Sequence, residues 1–184
     1  ERIHREREAN RKSDPWASSP FAWIKPLPAK TVGSVGERLV AEWCESNGFL
    51  VERSPDSEAD RVIQGHRIEI KFSTLWENGG YKFQQIRDQN YEYCFCLGVS
   101  PQEVHAWLIP KAILKEHVIG KMGQHTGAEG TETAWLGFKV GKEFEWMKPY
   151  GGSLDTVKVL LSHLESSSRA TRTSGHDIER EIGI

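Results

Sequence analysis

Between Asp60 and Phe72 the chain carries a β-hairpin in its own alternation. Ile68, Ile70 and Phe72 alternate with Arg67, Glu69 and Lys71, and a period of two puts one set on each face of a strand. A second strand-like run, Asp60 to Ile63, lies just upstream, and only Gln64-Gly65-His66 separates the two. So short a connection, with a glycine in it, makes the strands antiparallel neighbours. Glu69 and Lys71 then leave one face two residues apart, and Asp60 is folded back beside them at a sheet edge.

The flanking pattern supplies the rest of the architecture. Residues 34–47 read as a first core helix: Ser34-x-x-Glu37 matches a capping box, and Val35, Leu39, Val40, Trp43 and Cys44 share one face opposite Arg38, Glu42 and Glu45. Asn47-Gly48 supplies its stop. Phe49 to Glu52 is a short strand, broken by Ser54-Pro55-Asp56-Ser57. Phe83 to Gln89, rich in Gln and Arg, is expected as a short helix. Glu92 to Val99 is a strongly apolar central strand, followed by a strand over Val104 to Ile109 and a helix from Pro110 to about Val118. Residues 119–133 form a Gly/Thr/His-rich loop, Ala134 to Val140 a last strand, and Leu154 to Leu164 a helix. The order helix, meander, helix, strand, strand, helix predicts an α/β or α+β sheet with helices on its faces. The expected organisation is an arm over 1–32, a central domain over 33–165 and a polar tail over 166–184. Within the arm, the mixed charges of residues 1–12 read as a solvated terminal helix, and Trp16, Phe21 and Trp23, set among four prolines, are expected to pack an irregular segment onto the body.

Composition removes several classes. Lys plus Arg is 24 and Asp plus Glu is 26, a formal net charge of −2. Binding of nucleic acid by bulk positive charge is excluded, though a local basic groove is not. No apolar run approaches the roughly 20 residues a membrane span needs, and the start, Glu1-Arg2-Ile3-His4, carries no signal-peptide region. With no initiator Met, the chain is expected to be a fragment of a longer protein. Cys44, Cys94 and Cys96 make no disulfide framework and no CxxC pair. Cys94 and Cys96 would share a strand face as small buried hydrophobes, consistent with a reduced, cytoplasmic protein. His117, His125, His163 and His176 lack acidic partners at ligand spacing, and no HExxH, GxSxG or GxxxxGK[ST] occurs. Trp107, Trp135 and Trp146 read as core and rim packing rather than base-stacking platforms.

The chemistry therefore concentrates on Asp60, Glu69 and Lys71. Two carboxylates and a main-chain carbonyl are hard oxygen ligands suited to Mg²⁺. A lysine beside them can position water for in-line attack on a phosphodiester and stabilise the charge that develops. Taken singly, Glu-x-Lys on a strand is an ordinary surface ion pair. The combination is more informative.

With Glu37 in a first helix, Asp60 opening a hairpin and Glu69-Ile70-Lys71 in the next strand, residues 33–118 resemble the PD-(D/E)xK phosphodiesterase superfamily. That superfamily includes restriction endonucleases and archaeal Holliday-junction resolvases. The resemblance implies a restriction-endonuclease-like mixed central sheet flanked by helices, with the nuclease domain over 33–165. It implies that Asp60 and Glu69 bind Mg²⁺ (Mn²⁺ substituting), that the Ile70 carbonyl is a third ligand, that Lys71 orients the attacking water, and that Glu37 is an outer or second-metal ligand. Glu37 has a second reading as the helix-capping residue. On the expected polar helix, Gln85 would orient phosphate or water and Arg87 would touch the DNA backbone; the other reading is a solvated helix face. Ser73 could donate to phosphate. Gln124 and His125 lie in a glycine-flanked loop that either enters a DNA groove or merely connects. The literal Pro-Asp pair is Pro55-Asp56. The hairpin favours Asp60 as the metal ligand and leaves Asp56 or Glu58 as an accessory acid. The expectation is a Mg²⁺-dependent DNA endonuclease, restriction-type, acting as a homodimer or larger assembly away from membranes. The alternatives are a Holliday-junction or repair nuclease, and a catalytically inactive DNA-binding or assembly domain of the same fold.

Overall fold

The hairpin turn is built as the glycine demands. Ile63 pairs with His66, leaving Gln64 and Gly65 as a two-residue loop with φ of 53° and 79°. Left-handed dihedrals at both positions match the twist of the flanking strands. Gln64 is no glycine, but it is held there: its amide donates to the Leu50 carbonyl at 2.9 Å, and its side-chain oxygen accepts from the Leu50 amide at 2.5 Å.

In a computed structural model of the protein, residues 14–124 and 133–164 are described. Helix α1 is Ala29–Ser46. Strands β1 (Val51–Arg53), β2 (Arg61–Ile63) and β3 (His66–Thr74) form the meander. Then come β4 (Gly80–Ile86), β5 (Tyr93–Val99), β6 (Val104–Pro110), helix α2 (Lys111–His117), β7 (Gly123–Gln124) and β8 (Thr133–Lys139). Residues 154–164 form helix α3. One sheet has the order β1-β2-β3-β5-β6 and a second the order β4-β8-β7. In the larger sheet only β3 and β5 are parallel. The fold is thus mixed α+β with a mixed sheet.

Alternation along β3, β5 and β6 divides the core into two layers. Ile68, Ile70, Phe95, Leu97, Ala106 and Leu108 face one way and pack with Val40 and Cys44 of α1 and Val157 and Leu161 of α3. Cys94, Cys96, Trp107 and Ile109 face the other way and pack against Tyr81, Phe83, Leu136 and Phe138 of the second sheet and Leu114 of α2. Helices cover one face; the small sheet, with α2, covers the other. Cys94 and Cys96 are fully buried with sulfurs 3.7 Å apart on one face of β5, as the alternation predicts.

Three expectations need correction. The segment expected as a helix over Phe83 to Gln89 is strand β4, which ends at Ile86. Its ladder with β8 breaks between Phe83 and Ile86, and Gln85 sits at φ 55°. This bulge places Phe83 and Ile86, both fully buried, three residues apart, a spacing that imitates a helical face. Second, Ser34 does not cap the first helix. The helix already starts at Ala29, after Pro28, and the Ser34 hydroxyl bonds back to the Thr31 carbonyl at 2.9 Å inside it. Third, β5 lies inside the sheet, but its middle strand is β3. The segment before α1 packs onto the body as expected through Trp16, which is buried with the α1 layer, and Phe21 beside it; Trp23, expected to pack too, is exposed, and Ile24 is buried in its place. No helix among the described residues is long and apolar enough to cross a membrane.

Candidate functional site at the open edge of strand β3

Strand β2 pairs with β3 only as far as Arg61 opposite Ile68. Beyond that point β3 continues to Thr74 with one edge free of a β2 partner. Asp60 occupies the first step of the gap. Its amide donates to the Ile68 carbonyl at 3.0 Å, and its Oδ2 accepts from the Ile70 amide at 2.7 Å. The carboxylate therefore extends the ladder by one rung after the strand has ended. The N–H and C=O of one residue in a strand point to the same edge, so the Ile70 carbonyl is turned to the side Asp60 occupies.

Glu69 and Lys71 project from the layer that faces the second sheet, opposite Cys94 and Cys96 in the register of β5. Their side chains pair at 2.6 Å. Glu69 is only 7% exposed. Burial is the main reason its carboxyl is held above the usual range; Asp60 and Glu37 push the same way, and Lys71 opposes them. For Lys71, burial pulls the ammonium down, but the Glu69 charge and hydrogen bond outweigh it and the net direction is upward.

Glu37 approaches from the opposite layer, and a glycine lets it. A Cβ at Gly36 would stand 2.3 Å from Cβ of Phe72, so only glycine allows α1 to lie this close to β3. Glu37 then reaches Arg61 at 3.6 Å. Its pKa is raised by burial first and by Asp60 second, against the lowering pull of Arg61 and Lys71. One carboxylate thus comes from each side of the sheet and one from its edge, and Asp60 at the edge raises the pKa of both Glu37 and Glu69. They do not close a three-carboxylate cage: among the described residues no group of three or more His, Cys, Asp and Glu side chains is arranged to hold a metal ion.

Arg61 is the member that sequence reading passed over. Its guanidinium donates to the Asp60 carbonyl at 2.7 Å as well as facing Glu37. Its only signal in the sequence is its position next to Asp60. A cleft of about 490 Å³ opens beside these residues, lined by Arg53, Ser54, Asp56, Ser57, Ala59, Asp60 and Arg61. In it the Ser54 hydroxyl is buried without a hydrogen-bond partner.

The other candidates are placed elsewhere. Asp56 is ion-paired with Arg67 and accepts from the Glu58 amide at 2.9 Å, which holds its carboxyl below the usual range. Glu58 accepts from the Asn90 amide at 3.1 Å. Ser73, expected to face phosphate, is buried. Its hydroxyl donates to the Thr74 carbonyl and accepts from the Lys82 amide, both at 2.9 Å, so it ties β3 to β4. Gln85 sits on the bulge of a strand, not on a helix, and is exposed. Arg87 is exposed just past β4, where its carbonyl accepts from the Tyr91 hydroxyl at 2.7 Å. Gln124 ends β7 opposite Thr133, and His125 lies outside the described residues.

No protein-family model matches the chain, and no curated protein is significantly similar to it in sequence. Among solved structures, it is similar in fold to the bacterial homing endonuclease I-Ssp6803I, with a TM-score of 0.50 and 11% identity over 78% of this chain and 98% of that one. At that identity the likeness is one of fold.

Proposed function

We propose that this chain is a divalent-metal-dependent endonuclease that hydrolyses DNA phosphodiester bonds. The observation that carries the proposal is the convergence of Asp60, Glu69 and Lys71 at the open edge of β3, in a fold similar to that of a homing endonuclease. The donor set suits a hard cation. Asp60 and Glu69 offer carboxylate oxygens, the Ile70 carbonyl is turned toward Asp60, and Glu37 adds like charge that a cation would relieve. Two carboxylates and a carbonyl fall short of a three-side-chain cage by composition, so the missing cage does not count against them. Asp60, Glu69 and Ile70 would hold Mg²⁺, with Mn²⁺ as substitute. When bound, the ion supplies neutralisation of phosphodiester charge and a more acidic water.

The chain's own groups do the rest. Glu69 holds the Lys71 ammonium in place, and burial strengthens that hold. Lys71 is a rigidly presented donor that orients the attacking water and then faces the charge that grows on phosphorus. Arg61 keeps Glu37 and the Asp60 backbone in register. The 3′ oxygen leaves as the water oxygen bonds to phosphorus. Cleavage at a defined duplex site, as by a restriction enzyme, is the finer form of this reading, and cutting both strands would take two such sites in a homodimer.

The test is plasmid cleavage. Supercoiled DNA should be nicked or linearised with Mg²⁺ or Mn²⁺ and not with EDTA, and Asp60→Asn, Glu69→Gln and Lys71→Met should each lower the rate by about 10² or more. Wild-type rates for a folded Lys71→Met would sink the mechanism. Failure of the wild-type protein to cut any DNA or RNA with either metal would favour the binding-domain reading.

A further inference from the structure

The second sheet carries a cationic aromatic surface with no part in the chemistry above. Tyr81 and Phe83 are buried in the core, so alternation along β4 turns Lys82 outward. Its Nζ lies 3.7 Å from the centroid of the Trp135 ring and 4.7 Å from that of Trp76. Trp76 is 44% exposed. Lys82 stands opposite Gly137, and Gly80 opposite Lys139, so the two lysines are diagonal neighbours on one face, about 7–8 Å apart at their bases. Gly137 adds no side chain between them, and a groove of about 320 Å³ is left there. Among the described residues no carboxylate lies within ion-pair distance of either lysine.

We infer that Lys82, clamped between Trp76 and Trp135, and Lys139 form a docking face for the phosphate backbone of duplex DNA, distinct from the Asp60/Glu69/Lys71 site; this rests on the nuclease reading. Indole faces hold an ammonium by their quadrupole without taking its N–H donors. The cation is therefore ordered before DNA arrives, yet its hydrogen-bonding capacity stays available. Two cations on one face, neither in an ion pair among the described residues, are within side-chain reach of phosphates along one strand. The short link from Ser73 Oγ to the Lys82 amide, 2.9 Å, couples the face to the strand that carries Lys71, so backbone docked on one is positioned relative to the other. The face also resolves the charge problem of a chain with net −2: local positive charge is set apart from the acidic site.

The experiment is binding of a labelled duplex, with Ca²⁺ in place of Mg²⁺, over a series of salt concentrations. Each lysine that neutralises a phosphate adds about one unit to the slope of log affinity against log salt. The double variant Lys82→Gln/Lys139→Gln should lose about two units of slope and about tenfold in affinity at moderate salt. Lys82→Arg, which can stack between the same indoles, should keep the wild-type slope. A double variant with the wild-type melting temperature, affinity and slope would overturn the inference. If the plasmid is cut and the binding curves do not move, the docking face falls and the nuclease reading stands. If the slope falls as expected but wild type cuts nothing, the nuclease reading falls and the docking face stands.

Discussion

Asp60 Oδ2 accepts the Ile70 amide hydrogen at 2.7 Å, one rung beyond the last paired residues of β2 and β3. The same carboxylate thus closes a backbone ladder and faces the carbonyl side of a candidate metal ligand. The two roles separate by substitution. Asp60→Asn keeps an oxygen to accept the amide and removes the charge. Asp60→Ala leaves a buried N–H without a partner, which costs about 1–3 kcal/mol. In urea titrations Asp60→Asn should unfold close to the wild-type midpoint and Asp60→Ala well below it, with cleavage lost in both.

Glu69 and Lys71 form a largely buried pair at 2.6 Å, so removing one partner strands the other. Lys71→Met should destabilise the protein by about 3 kcal/mol at pH 7. The carboxyl of Glu69, already above its usual range, then has no cation to hold it ionised. A folded-state pKa above the unfolded one means that stability falls as pH rises between the two. The Lys71→Met deficit should therefore be smaller at pH 5 than at pH 7, measured as urea midpoints in both buffers. An equal deficit at both would show that Glu69 stays ionised without its partner.

Glu37 is held above the usual carboxylate range by burial and by Asp60. Its ionised form is then less favourable in the folded than in the unfolded chain. That cost is absent below the unfolded pKa of about 4.3 and is complete above the folded value. Glu37→Gln should raise the melting temperature at pH 7 and leave it near wild type at pH 4. Added Mg²⁺ should raise the wild-type melting temperature at pH 7, and raise it less in Asp60→Asn.

Gly36 reverses the usual rule for glycine in a helix. In an open helix interior, Gly→Ala stabilises by about 0.5–1 kcal/mol. Here the new methyl group would meet Phe72 at 2.3 Å, and overpacking of this kind costs about 1–3 kcal/mol. Gly36→Ala should lower stability and, by lifting α1 from β3, lower cleavage. Gly33→Ala, in the same helix with open space around it, should do neither.

The hairpin, the shared face of Glu69 and Lys71 and the buried Cys94–Cys96 face could all be read from sequence, though the turn is one residue shorter than Gln64-Gly65-His66 because His66 already pairs with Ile63. Each rests on a period of two or on a local turn preference, which neighbours along the chain decide. Strand β4 could not be read this way. A bulge at Gln84 and Gln85 shifted its buried residues to a spacing of three, and only pairing with β8, some fifty residues later, shows that the segment is extended. The Lys82 clamp was hidden for the same reason, because Trp76, Lys82 and Trp135 meet only when β4 and β8 pair.

The sequence by itself determined which residues could act together at the hairpin, because alternation and a tight turn operate over a dozen residues. Only the tertiary structure decided that Glu37 joins them, that Arg61 holds Glu37, and that Ser73 is a tie between sheets rather than a surface donor. Those outcomes depend on how closely a helix can approach a strand, where β2 stops, and which face the second sheet covers. They are set by packing between segments far apart in the chain, which no local pattern encodes.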